Sequence, residues 1–135
     1  MKATEIPFIN LVGIEQHKDE LSLSIETKVL NHIQTIHAAA QFSLAEAQSG
    51  IYLQTLFPEM EGLVIPLLRD AQIKYKKPAT QKIVAFPSIE EDSIIKFKEQ
   101  FERKGRGTIQ VDVKIKDIDD VLTTQATFTW FIQKI

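Results

Sequence analysis

Residues 38–57 constrain this chain more than any other segment. They read Ala-Ala-Ala-Gln-Phe-Ser-Leu-Ala-Glu-Ala-Gln-Ser-Gly-Ile-Tyr-Leu-Gln-Thr-Leu-Phe and are stopped by Pro58, a run suited to about five turns of α-helix. Positions 38, 39, 40, 42, 44, 45, 47, 50, 51 and 53 are all apolar or glycine. They wrap most of the circumference and leave no single stripe for water. Such a helix is predicted to be largely buried, so the rest of the chain has to surround it.

The rest reads mainly as strands. Leu21, Leu23 and Ile25 alternate with Ser22, Ser24 and Glu26, the period of a half-buried strand continuing toward Val29. Residues 8–14 read as its hairpin partner or as an earlier part of the same strand. After the helix, Asp70, Gln72 and Lys74 alternate against Ala71, Ile73 and Tyr75 within a strand over 63–76. A short strand follows over 82–86, with Pro78 and Pro87 as punctuation. Ser88-Ile-Glu-Glu91 matches a capping box, and Ile94, Phe97 and Phe101 recur on one face of an amphipathic helix that ends at Gly105. Finally Ile109, Val111, Val113 and Ile115 alternate against Gln110, Asp112, Lys114 and Lys116. Ala126, Phe128, Trp130 and Ile132 do the same after an Asp-rich turn at 117–120, which makes a hairpin. There is no internal repeat or linker, and 135 residues suit one domain over 1–135. This order predicts an α+β fold with an antiparallel sheet curled around the long helix.

Composition removes several classes of function. Sixteen basic against eighteen acidic residues leave a net charge of −2, so no global field recruits nucleic acid or an anionic membrane, and a polyanion has to be met locally. The absence of cysteine excludes a disulfide scaffold, a thiolate metal site and a cysteine nucleophile. His32 and His37 are five apart with one further histidine in the chain, a poor basis for zinc, so neither a metal nor a cofactor is expected. No stretch approaches ~18 uninterrupted apolar residues, and residues 1–9 lack the features of a signal peptide. A cytoplasmic protein without a membrane partner is the expectation.

Chemistry concentrates at the long helix. Glu46 is a carboxylate between Ala45 and Ala47. It is either paired, solvated by a pocket or catalytic, or it shares an exposed stripe with Gln41, Gln48 or Ser49. His37 stands at the helix start, as a structural hydrogen bonder or as part of a site with Glu46. The free N–H groups of Ala38 and Ala39 could hold a carbonyl oxygen on which negative charge develops. Lys74, Lys76, Lys77 and Lys82 form a basic cluster that either meets a phosphorylated ligand tail or keeps a strand edge soluble. Lys104-Gly-Arg-Gly107 lacks the spacing of a phosphate loop. Phe42, Phe57, Phe86 and Trp130 are core residues or the walls of an acyl pocket.

The run Asn31-His-Ile-Gln-Thr-Ile-His37-Ala-Ala-Ala-Gln-Phe-Ser-Leu-Ala-Glu46 resembles the hotdog-fold acyl-CoA thioesterases, in the phenylacetyl-CoA-type branch. In that pattern an Asn precedes a His followed by two small residues, and an acidic residue lies in the central helix. A second match, Ile73-Lys-Tyr75-Lys-Lys-Pro78-Ala79, is similar to the strand ending in Pro-Ala. The resemblance covers about 29–135. It implies a hotdog fold, a curved sheet wrapped around a central helix, here with an extra amphipathic helix over 90–103. It also implies hydrolysis of an acyl thioester such as acyl-CoA, with Glu46 as general base or nucleophile and the Ala38 amide polarising the carbonyl. His37 and Asn31 would position the carbonyl or the acid, and Ala39, Gln41, Tyr75, Lys76 and Lys77 would bind substrate. A homodimer with interfacial active sites, or a tetramer, is further implied. Three positions depart from the pattern: Ala38-Ala39 replaces Gly-Gly, Leu68 stands where some members carry a partner-subunit Ser or Thr, and no glycine follows Pro-Ala. A non-catalytic protein that binds an acyl or aromatic ligand, or scaffolds an oligomer, is the competing expectation.

Overall fold

The computed structural model describes residues 1–135. Its long helix, α2, runs over Ala38–Leu56 and packs across one face of a six-stranded antiparallel sheet. The strands are β1 (Glu15–His17), β2 (Glu20–Leu23), β3 (Val64–Tyr75), β4 (Ile83–Ser88), β5 (Arg106–Asp117) and β6 (Leu122–Lys134), in spatial order β1-β2-β4-β5-β6-β3. Two further helices are α1 (Pro7–Val12) and α3 (Glu91–Lys104). This is the expected hotdog arrangement, helix inside and sheet around it. No helix is long and apolar enough to cross a membrane.

The β5–β6 hairpin is the centre of the sheet. Ile109 faces Trp130, Val111 faces Phe128 and Val113 faces Ala126, and all six side chains are buried on the face that meets α2. Phe42 of α2 packs edge-on against Phe128, with ring centroids 5.6 Å apart, a geometry favoured by the ring quadrupoles. The polar side chains on the buried surface of α2 are all satisfied. Gln48 accepts from the Leu21 amide and donates to the Asp19 carbonyl, both near 2.9 Å. Trp130 donates its indole N–H to Ser49 at 2.8 Å, and Ser49 donates to the Glu46 carbonyl. Each such bond, left unmade in the core, would cost on the order of 1–3 kcal/mol.

Three sequence expectations are corrected. Residues 8–14 are mostly helix, with Pro7 in the first turn and Gly13 as a left-handed cap at φ 92°, the proline-first, glycine-last pattern that starts and stops helices. The hairpin partner of β2 is the three-residue β1. The strand at 21–25 ends at Leu23 and gives way to a 3-10 turn over Thr27–Val29. Lastly, Ser88 does not cap α3: it closes β4, and Glu90 occupies the N-cap with no side-chain bond to the helix. Pairing Ser88 with Asp112 in the sheet takes precedence over a local cap.

Candidate active site

The entrance to α2 is built by a tight loop. Asn31 accepts from the amides of Ile33 and Thr35, both at 3.0 Å, and donates to the Thr35 hydroxyl at 2.8 Å. The loop is then tied at three backbone points, Asn31 to Thr35, Ile36 to the Ala79 carbonyl, and His37 to the Val29 carbonyl. Buried Ala79, next to Pro78, thus braces the residue just before the helix. The product of these bonds is a fixed His37 at the N-cap of α2.

His37 Nδ1 accepts the Ala39 amide at 2.9 Å. In the neutral ring the proton is therefore on Nε2, and the Ala39 N–H is committed to the cap. The Ala38 amide donates to no atom of the chain. Of the two amides proposed from sequence to hold an oxyanion, Ala38 is the one with a free N–H, yet it is Ala39 and not Ala38 that lines the grooves beside α2.

Glu46 lies two turns further along α2. Its carboxylate is half-buried and makes no hydrogen bond or ion pair, and burial pushes its pKa above the ordinary carboxylate range. Gln41, Gln48 and Ser49 are all buried, so the exposed stripe they were to share with Glu46 does not exist. Instead Glu46 faces two spaces. On one side is a groove lined by Phe8, Ala39, Phe42, Ser43, Leu68 and Tyr75. On the other is an apolar cavity of about 600 Å³ between α1, α2 and the sheet.

A β-bulge makes the groove. The β3–β6 register slips between Leu68 and Asp70, with Arg69 turned onto the Phe131 ring at 4.1 Å. Strand side chains alternate, so without the extra residue Leu68 and Tyr75 would lie on opposite faces of β3. With it, both reach the groove that holds Glu46. The Tyr75 phenol is protonated at neutral pH and so available as a donor, and partial burial raises its pKa further.

The structure thus brings together Glu46, Ala39 and Tyr75, with His37 in an adjoining groove that shares Phe8, Ala39 and Ser43. It places others elsewhere. Asn31 is spent on its own loop, and Gln41 is buried, accepting from Thr124. Lys76 and Lys77 are exposed past the end of β3, their amides bonded to the Thr123 carbonyl. No three acidic or histidine side chains converge as a metal site would require. Of the four aromatics, Phe57 and Trp130 line the cavity and Phe42 the groove, while Phe86 lies in solvent beside Lys116. Sequence reasoning missed Phe8, which borders all three spaces because 8–14 was read as strand.

Residues 8–132 match a family described as a domain of unknown function (DUF4442). The chain belongs to this family. Among solved structures, a protein of unknown function from Pseudomonas aeruginosa described as a probable thioesterase is similar, with a TM-score of 0.82 at 16% identity over 98% of this chain and 91% of its own. A thioesterase from Haemophilus influenzae gives 0.75 at 14%, over 97% and 85%. A Bacillus halodurans protein solved with CoA gives 0.72 at 20%, over 93% and 74%. At these identities the likeness is one of fold, that of the hotdog thioesterases. No curated protein matches the chain.

Proposed function

We propose that this DUF4442 protein hydrolyses acyl thioesters, with Glu46 as its catalytic carboxylate. The observation that carries the reading is the setting of Glu46: an unpaired, half-buried carboxylate where an apolar cavity meets an open groove. An unpaired carboxylate there costs stability, and carboxylates kept at such a cost cluster at functional sites. In the simplest course, Glu46 takes a proton from water as the water oxygen bonds to the thioester carbon. The carbonyl oxygen becomes an oxyanion facing the Ala38 N–H, and Tyr75 is the further donor at the groove. Collapse breaks the C–S bond, the thiolate leaves and takes up a proton, and the acid product departs. Direct attack by the Glu46 carboxylate, followed by hydrolysis of the anhydride, is the alternative role for the same group. An acyl-CoA substrate fits the likeness to the CoA-bound neighbour's fold, with Lys76 and Lys77 free to meet its phosphates.

The same reading includes a second copy of the chain. Edge strand β3 has no buried residue along its length, and Leu63, Ile65 and Leu67 stand exposed. The groove at Glu46 is lined from β3 by Leu68 and Tyr75, so a subunit covering β3 would complete its wall and exclude water. Leu68 brings no hydroxyl to the groove. Binding without turnover is therefore the competing reading.

The test is release of free thiol from short-chain, long-chain and aromatic acyl-CoAs by the purified protein and by Glu46→Gln. Turnover lost by 100-fold or more in a folded Glu46→Gln supports the proposal. A folded wild type that turns over none of them, or a fully active Glu46→Gln, rejects it.

A further inference from the structure

Two hydroxyls border the groove at Glu46, and they come from different elements, Tyr75 from the end of β3 and Ser43 from α2. Ser43 stands three residues before Glu46. Residues at that spacing share one face of a helix, with Cβ atoms about 5–6 Å apart. Helical side chains slope toward the N-terminus, which brings a carboxylate at 46 toward a hydroxyl at 43. Ser43 is buried, yet it lines both this groove and the adjoining one that holds His37. Its hydroxyl donates to the Ala39 carbonyl at 2.9 Å. That bond uses the single proton of the side chain, so toward the groove Ser43 Oγ has only lone pairs to offer. A bond of this kind back to the preceding turn slightly weakens a helix, and alanine is the stronger helix former. The stability of α2 therefore does not account for a serine at this position.

We propose that Ser43 positions the attacking water, its Oγ accepting one O–H of a water whose other O–H is given to the Glu46 carboxylate. The proposal rests on the thioesterase reading with Glu46 as general base. Glu46 has no partner in the chain, so both groups are acceptors, about one helical turn apart, and one water satisfies the two with its two hydrogens. Held in this way, the water directs its lone pairs away from the helix and into the groove that takes the thioester. As the water oxygen bonds to the thioester carbon, the O–H at Glu46 breaks and its proton passes to the carboxylate. The O–H at Ser43 stays intact and becomes the hydroxyl of the tetrahedral intermediate, whose collapse breaks the C–S bond. Ser43 neither gives nor takes a proton. It fixes the direction of attack.

Acyl-CoA hydrolysis by Ser43→Ala and Ser43→Thr, set against wild type, tests the proposal. Ser43→Ala is expected to lower kcat by about 10- to 100-fold with KM within about twofold, and Ser43→Thr, which keeps the hydroxyl, to recover most of the loss. The acid limb of kcat/KM, assigned to Glu46, should stay in place in Ser43→Ala. Added hydroxylamine supplies the readout that a merely structural role would not move. It is a stronger nucleophile than water and attacks without the two-point hold, so the ratio of enzyme-dependent hydroxamate to free acid should rise by about fivefold or more in Ser43→Ala. A folded Ser43→Ala with wild-type kcat, or one whose kcat falls while that ratio is unmoved, overturns the role of Ser43 and leaves the thioesterase reading intact. A folded wild type that releases no thiol overturns both.

Discussion

Strands β3 and β5 are each twelve residues long and flank β6 on opposite sides, yet they live in different solvents. In β5 every second residue from Gly107 to Asp117 is buried; in β3 none is. Both carry apolar side chains, so the contrast comes from position. β5 has β4 on its far side, whereas β3 is an edge whose outer ladder has no partner in the chain. Exposed Ile65 and Leu67, each about half accessible, are unusual beside an open edge, which is commonly protected by charge. One strand stabilises the subunit. The other supplies a wall of the Glu46 groove and, in the proposed assembly, the surface for a second copy.

The comparison is easiest to break at β5. Ile115→Ala should cost about 2–4 kcal/mol, because the side chain is fully buried and its removal leaves a cavity; urea unfolding reads this directly. Leu67→Lys on β3 should change subunit stability by under about 1 kcal/mol but convert the proposed dimer to monomer in sedimentation experiments. Equal destabilisation by both substitutions would erase the distinction between the strands. Ser49→Ala, which orphans the Trp130 indole N–H behind β6, should cost about 1–3 kcal/mol in the same unfolding assay.

Glu46→Gln has the smallest and most telling effect on stability. Since burial raises the carboxyl pKa in the folded state, the folded chain binds the proton more tightly than the unfolded one. The group's contribution is then most favourable below the unfolded value of about 4.3 and is lost as pH rises through the folded value. Glu46→Gln should therefore melt slightly higher than wild type at pH 7. The gap should close on acidification below about pH 4. A variant that melts lower at pH 7 would mean that the carboxylate has a stabilising partner.

Much of this arrangement was legible in residues alone. Apolar residues around the circumference of 38–57 demanded burial, and strict alternation at 109–115 and 126–132 required a hairpin; both are present. Glu46 and the start of α2 were visible as an odd carboxylate and a histidine before small residues. Other features depended on tertiary partners. Gln41 and Gln48 read as surface residues and are buried because Thr124 and the β1–β2 turn bond them. The Arg69 bulge, which aligns Leu68 with Tyr75, leaves no mark in the alternation until β6 fixes the register. Pro7 and Gly13 bracket α1 in the sequence as a helix start and stop, against the strand expected over 8–14.

The central claim is that Glu46, raised in pKa by burial, is the carboxylate that acts on a thioester. The pH dependence of kcat/KM for acyl-CoA hydrolysis, measured on wild type and Glu46→Gln, tests it most directly. The account predicts that wild-type activity falls in acid along a limb whose apparent pKa lies above the ordinary glutamate range, and that any residual Glu46→Gln activity lacks that limb. An unchanged acid limb in Glu46→Gln would assign the chemistry to another group.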